Sequence, residues 1–204
     1  MKKKTLLPLL LGGLLLVAGA APAGAQSAAA DNEVVRTIMA RRSIRQYKAQ
    51  PVPRELLETI VECGINAPNG LNKQPWQVRV VTDPAYIEGI TALYLEQNPR
   101  AKEDKNFKNM FRNAPAVIFI ASPKDGSGQI DCGLLGGNMV IAAQSLGLGT
   151  CCLGGPIGFM KSEAAADYLK RLGLPAGYEL LYAIGVGYPD ESPAAKPRDA
   201  QKVR

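Results

Sequence analysis

Apolar positions recur along this chain at two periods, and the alternation between them sketches its elements. Val34, Val35, Ile38 and Met39 fall at helical spacing behind Asp31 or Asn32, either of which suits an N-cap. Behind Pro53, whose fixed φ fits a first helical turn, Leu56, Leu57, Ile60, Val61 and Gly64 give a second helix one apolar face. Trp76 to Val81 alternates in the manner of a strand, and Tyr86 to Leu95 returns to helical spacing. Ala116 to Ala121 is a continuous apolar run between Pro115 and Pro123, which predicts a buried central strand. Asp131 to Leu146 is nearly uncharged, so it predicts a long helix buried on most sides. Its Gly133, Gly136, Gly137, Ala142 and Ala143 would let another helix approach closely. Thr150 to Leu153 reads as a short strand, Ser162 to Leu172 as an amphipathic helix and Tyr178 to Val186 as a strand. Ala200 to Val203 could add an edge strand.

Two stretches break this rhythm. Lys2, Lys3 and Lys4 precede an apolar run from Leu6 to Ala20, and Ala23-Gly24-Ala25 follows Pro22 as a small-residue cleavage site. The run is short for a membrane span, and no basic stop-transfer flank follows it. Residues 1–25 therefore read as a cleaved export signal that leaves no stable membrane anchor, with residues 26–204 as a single domain in the periplasm. The second stretch, Pro99 to Asn113, collects Arg100, Lys102, Glu103, Asp104, Lys105, Lys108 and Arg112, and reads as an exposed helix or a lid-like loop.

Composition narrows the chemistry. With 47% hydrophobic and 21% charged residues in 204, the chain is a globular protein of about one domain. It has no histidine, which excludes Ser-His-Asp and Cys-His catalysis and an HExxH zinc site. No metal site is expected. Loss of the three signal lysines lowers the formal charge from +6 to +3, too slight an excess to argue for nucleic acid. The four cysteines are not spaced as zinc ligands. An oxidising compartment permits disulfides, but a vicinal bridge between Cys151 and Cys152 is strained, so buried free thiols are the better reading.

Three segments could carry function. Arg41-Arg42-Ser43-Ile44-Arg45 closes the first helix. Cations complement a helix C-terminus, yet three guanidiniums around one hydroxyl also suit a phosphate. Ala67 to Trp76 (APNGLNKQPW) joins a helix to a strand and offers either turn chemistry or a fan of amide donors and acceptors to a polar heterocycle. Gly147 to Gly155 (GLGTCCLGG) is similar in composition to a dinucleotide glycine loop. It leaves a helix and enters a strand, however, the reverse of that fingerprint. Its Gly154-Gly155 offers bare backbone to a flat ligand.

In order and spacing these segments, with Lys196-Pro197-Arg198 near the end, resemble the nitroreductase-like FMN flavoprotein family. That family carries RRSxR, APSxxNxQPW-type and GLGxxWxGG-type motifs and a Lys/Arg-Pro-Arg element, and the likeness runs from about Asn32 to Arg198. The resemblance implies an α+β fold with a central mixed sheet flanked by helices, built as an intertwined homodimer with FMN at the subunit interface. It implies that Arg41, Ser43 and Arg45, with Arg42 through its backbone, hold the FMN phosphate and ribityl chain, and that Lys196 and Arg198 complete the clamp. Pro68, Asn69 and Gly70 would reach the flavin from the other subunit, and Asn72 would contact its ring. Leu153, Gly154 and Gly155 would lie near N5 and O4. Asn69 and Cys152 depart from the commoner Ser and Trp.

The function implied is an FMN-dependent oxidoreductase. Electrons would pass by a ping-pong route from a reduced nicotinamide or other small-molecule donor to a nitroaromatic, quinone or similar acceptor, with no catalytic side chain. The alternatives are a reductive dehalogenase or flavin-modifying relative, or a non-catalytic flavin-binding or redox-storage protein. Cys151 and Cys152 are expected to be structural. Adjacent strand residues face opposite ways, and apolar neighbours raise a thiol pKa.

Overall fold

The structure is a computed structural model that describes residues 32–203. The export signal expected at residues 1–25 lies outside the described residues. By its contacts the chain divides into two units, Met1–Arg36 and Thr37–Arg204. Apart from the first half of helix α1 (Glu33–Ala40), everything below concerns the second unit.

The helices form where pattern and caps agree. α2 (Arg54–Ile65) follows Pro53, and α3 (Pro84–Gln97) starts on Asp83, whose side chain accepts the Ala85 N–H at 2.9 Å. Strands β1 (Gln77–Val81), β2 (Ala116–Pro123), β3 (Gly149–Leu153) and β4 (Tyr178–Gly187) form one sheet in the order β1-β2-β4-β3. All three pairings are antiparallel, so the sheet is not the mixed one expected. Among the described residues the one parallel contact is the isolated bridge Ser43↔Thr150.

Strand β2 shows how the sheet gathers two cores. Ala116, Ile118 and Ile120 face α2 and the long helix α4 (Gln129–Ser145). Val117, Phe119 and Ala121 face the other way, toward α3, α5 (Gly155–Met160) and α6 (Ala166–Arg171). Its eight positions bury seven side chains, as a central strand must. A bulge at Leu181, where the register steps from Ile120↔Tyr182 to Ala121↔Leu180, turns Leu181 and Tyr182 toward the same core.

Four sequence expectations change. α4 is buried along one face only, through Cys132, Leu135, Gly136, Met139, Val140 and Ala143, and Gly133, Leu134, Gly137 and Asn138 are exposed. An uncharged sequence shows that a helix lacks polar faces, not that one chain covers them all. Nor do its glycines seat one neighbouring helix. A Cβ on Gly136 would strike the Tyr182 phenol, and Gly133 and Gly137 have open space. The stretch 99–113 begins with a short 3-10 turn but plants Met110 and Phe111 in the core, and Phe111 is fully buried. Ala200–Lys202 is a 3-10 turn rather than a strand. Among the described residues no helix is long and apolar enough to cross a membrane.

Candidate functional site

The segment after α1 is irregular and extended, and packing sorts its side chains. Ile44 and Tyr47, three residues apart, both turn inward onto Ala114, while Arg41, Ser43 and Arg45 line a pocket on the outer side. Both sides of this strap are tied by backbone. Ile44 N–H donates to Thr150 O at 2.9 Å, Lys48 N–H to Tyr188 O at 2.9 Å, and Asp190 N–H returns to Gln46 O at 2.9 Å. A Cβ on Gly149 would meet Ile44 at 2.7 Å and one on Gly187 would meet Tyr47 at 2.7 Å, so these strand ends must be bare for the strap to lie against them.

The same stitching brings in the tail. One carboxylate oxygen of Glu191 accepts the N–H groups of Arg45 and Gln46, and beyond it the chain passes the strap again. As a result Arg41, Arg42, Ser43, Arg45, Lys196 and Arg198 line one pocket of about 130 Å³. No carboxylate lines it, and among the described residues none of its five cations is in a salt bridge. Arg42 is the exception in role. Its Nη1 donates to Met39 O at 2.6 Å and Arg41 O at 2.8 Å, so its guanidinium caps the end of α1.

The other expected residues fall into two groups. Gly155 lines a second cavity of about 550 Å³ that Arg45 also lines, so the glycine turn and the strap share a wall. Leu153 is buried beneath that turn, and Gly154 and Gly155 have open space at their Cβ positions. The loop Pro68–Asn72 lines neither cavity. Much of its polarity is spent on itself. Asn69 Oδ1 accepts the Gln74 N–H at 2.9 Å, Asn72 Oδ1 accepts from Gln74 Nε2 at 3.3 Å, and the Gly70 N–H meets the Asp131 carboxylate at 3.3 Å. Leu71, Asn72 and Gln74 all take left-handed backbone, and Leu71 is 89% exposed.

The thiols are free. Cys132 and Cys151 are buried, whereas Cys63 and Cys152 are exposed, so the expectation of buried thiols holds for two of four. Cys151 packs in the core on one face of β3 and Cys152 lies on the other, as adjacent strand residues must. Burial pushes the Cys151 thiol up while the Arg45, Arg112 and Arg41 guanidiniums pull against it, and Cys152, though its surface is exposed, is desolvated enough by its surroundings to be raised as well. Neither is poised as a thiolate.

Residues 38–188 match the model of the nitroreductase family. The chain belongs to that family. It is 31% identical to the FMN reductase [NAD(P)H] of Bacillus subtilis, over 84% of this chain and 72% of that one. It is 28% identical to the NADPH-flavin oxidoreductase of Vibrio harveyi, over 82% of this chain and 70% of that one. A nitroreductase with bound FMN from Desulfitobacterium hafniense superposes with a TM-score of 0.75 at 29% identity, covering 85% of this chain and 97% of that one. The family match takes in the strap, the loop and the glycine turn but ends before Lys196 and Arg198.

Three residues of this nitroreductase-family site escape a reading of the sequence. Glu191 fixes the strap's backbone, and its only signal is an acid in a Pro- and Lys-rich tail. Asn109 and Asn113 brace the wall opposite Arg45 in the second cavity. Their i, i+4 spacing before Ala114-Pro115 was the available cue, and the surrounding charges hid it.

Proposed function

We propose that the strap and tail form a clamp for the terminal phosphate of FMN, and that the second cavity is where a donor and an acceptor meet the flavin. The observation that carries this is the convergence of Arg41, Ser43, Arg45, Lys196 and Arg198 on one small pocket free of carboxylates. Guanidiniums and a hydroxyl form charge-assisted hydrogen bonds to phosphate oxygens, each worth about 1.5–3 kcal/mol. The donor set therefore fits the group. The chain is an FMN-dependent oxidoreductase of the nitroreductase type, and when bound the flavin supplies the redox chemistry, accepting electrons from a donor and passing them to an acceptor in turn. The protein's part is to bind and orient. Arg41, Arg45, Lys196 and Arg198 neutralise the phosphate, Ser43 donates its hydroxyl, and the open backbone of Gly154 and Gly155 lets a flat ring lie close, with N–H groups there to stabilise negative charge. Asn69, Asn72 and their loop act from a second copy.

The exposed face of α4 supports a homodimer. Ile130 is 81% and Leu134 43% exposed, beside the open Gly133 and Gly137, an apolar stripe that a second chain would cover. Gly137→Arg tests this cleanly because it meets nothing within the chain. It should give a monomer in sedimentation and lower flavin content together. Export to the periplasm is proposed from residues 1–25 alone, and fractionation of cells making the full chain decides it. An exported enzyme does not meet a cytosolic nicotinamide pool, so the physiological donor is a separate reductant or one supplied in that compartment.

The direct assay is spectroscopic. Purified protein should be yellow with about one FMN per chain, bleach with NAD(P)H and recolour with a quinone or nitroaromatic. Yellow protein without turnover would favour redox storage, and colourless protein that cannot be reconstituted would sink the reading.

A further inference from the structure

We propose that the second cavity selects flat aromatic acceptors carrying a carboxylate, and that Arg112 is the residue that selects them. This rests on the flavin-enzyme reading above.

The wall opposite Arg45 and Gly155 is the loop 104–114, and it is a preformed wall rather than a lid. Asn109 Oδ1 accepts the N–H groups of Phe111 at 2.9 Å and Asn113 at 3.0 Å, while its Nδ2 donates to Ala114 O at 3.1 Å. Asn113 answers, with Oδ1 accepting from Lys108 and Asn109 N–H groups at 2.7 and 3.1 Å and Nδ2 donating to Asn106 O at 2.8 Å. Phe111 is anchored edge-on against Phe119, with ring centroids 5.6 Å apart. Between these anchors Arg112 and Asn113 both hold left-handed backbone, at φ 58° and 66°. Asn tolerates this conformation, but for Arg112 it is disfavoured and persists only where its surroundings impose it. The brace thus fixes the point from which the Arg112 side chain leaves the loop.

That side chain lines the cavity with no hydrogen bond or salt bridge to any described residue. The cavity's two carboxylates do not neutralise it, since neither lies within ion-pair distance. Glu191 holds the strap's N–H groups, and Asp104 accepts the Asn106 N–H at 2.9 Å. Beside Ala101, Met110 and Pro156, the apolar part of the wall carries two aromatic rings, Tyr94 and Phe107, stacked at 6.2 Å and 17°. A flat ring fits that surface, and an anionic substituent on it fits the unpaired guanidinium.

The test compares 4-nitrobenzoate with neutral 4-nitrobenzamide on flavin-loaded protein, reading dissociation constants from the flavin spectrum and kcat/KM for each acceptor. The parent should bind the carboxylate about tenfold or more tightly over the amide, the factor one charge-assisted bond supplies. Arg112→Gln should erase that preference while leaving FMN content and the amide unchanged, and Arg112→Lys should restore part of it. No preference in the parent, or a preference that survives Arg112→Gln, would overturn the proposal. Loss of FMN in Arg112→Gln would also overturn it, because Arg112 would then belong to the flavin clamp. A fall confined to the NADPH half-reaction would do the same by giving the cation to the donor. Were the purified protein flavin-free, calorimetric titration of the same two compounds in an Arg41→Ala background reads the same preference. A failure of the flavin reading and a failure of this one are then distinct results.

Discussion

The strap at 41–48 and the loop at 104–114 are both irregular, both cationic and both anchored on Ala114 beside Ile44 and Tyr47, yet they hold their shape by different means. The strap is held by backbone. It exchanges main-chain hydrogen bonds with Thr150, Tyr188 and Asp190, which fix where each side chain leaves it. The loop is held by two side-chain amides that between them accept four N–H groups and donate to two carbonyls. Backbone pairing tolerates sequence change and fails only when something intrudes between the paired chains. Amide bracing fails when one residue is lost.

Intrusion should be the more damaging. Gly187→Val puts a Cβ within 2.7 Å of Tyr47 and 2.8 Å of Pro115, and should cost about 3 kcal/mol and release flavin, read by chemical denaturation and by FMN content. Asn109→Ala leaves the Phe111 and Asn113 N–H groups without their acceptor. It should cost about 2 kcal/mol with FMN retained, since the strap does not depend on the brace. If Gly187→Val spared the flavin, or Asn109→Ala expelled it, the two regions would not be separately held.

Alkali offers a gentler probe of the cores behind them. Burial pushes the Cys132 thiol from 9.0 up to about 11 and the Tyr86 phenol from 10.0 up to about 12, the latter opposed by Arg171. In both cases the folded state keeps a proton that the unfolded state releases, so stability is intact below about pH 9 and falls as pH rises toward 12. Denaturation midpoints that stayed level from pH 9 to 11 would contradict this. The smallest change should be Glu191→Gln, which keeps an acceptor for the Arg45 and Gln46 N–H groups. It should move stability by about 0.5 kcal/mol, and a larger loss in a thermal melt would mean the charge itself matters.

The contrast also explains what could be read in advance. The strap announces its charge, because RRSIR at a helix end names the cluster, but no period in the sequence announces that Ile44 and Tyr47 both turn inward. Its second half, Lys196 and Arg198, lies 150 residues away with nothing local to link it, and only the family resemblance made the connection. In the loop, charges at 100–105 dominate the composition and conceal Met110 and Phe111, two buried residues in a polar setting. α5 has no helical signature in the sequence, because Gly155, Pro156 and Gly158 mask a short helix whose Ile157 and Met160 are nonetheless core. The one-sided burial of α4 was illegible for a different reason. Sequence reports that a surface is apolar without saying which chain covers it.

The central claim is that strap and tail grip a phosphate, and comparing FMN with riboflavin tests it most directly because the two differ by that group alone. Reconstituted parent protein should bind FMN about a hundredfold or more tightly over riboflavin, the combined effect of two or more charge-assisted contacts. The double variant Arg41→Ala, Arg198→Ala, which leaves Ser43, Arg45 and Lys196 in the pocket, should shrink that FMN preference about tenfold or more while leaving riboflavin unchanged. Equal affinity for the two flavins in the parent, or an FMN preference undiminished in the double variant, would contradict the account.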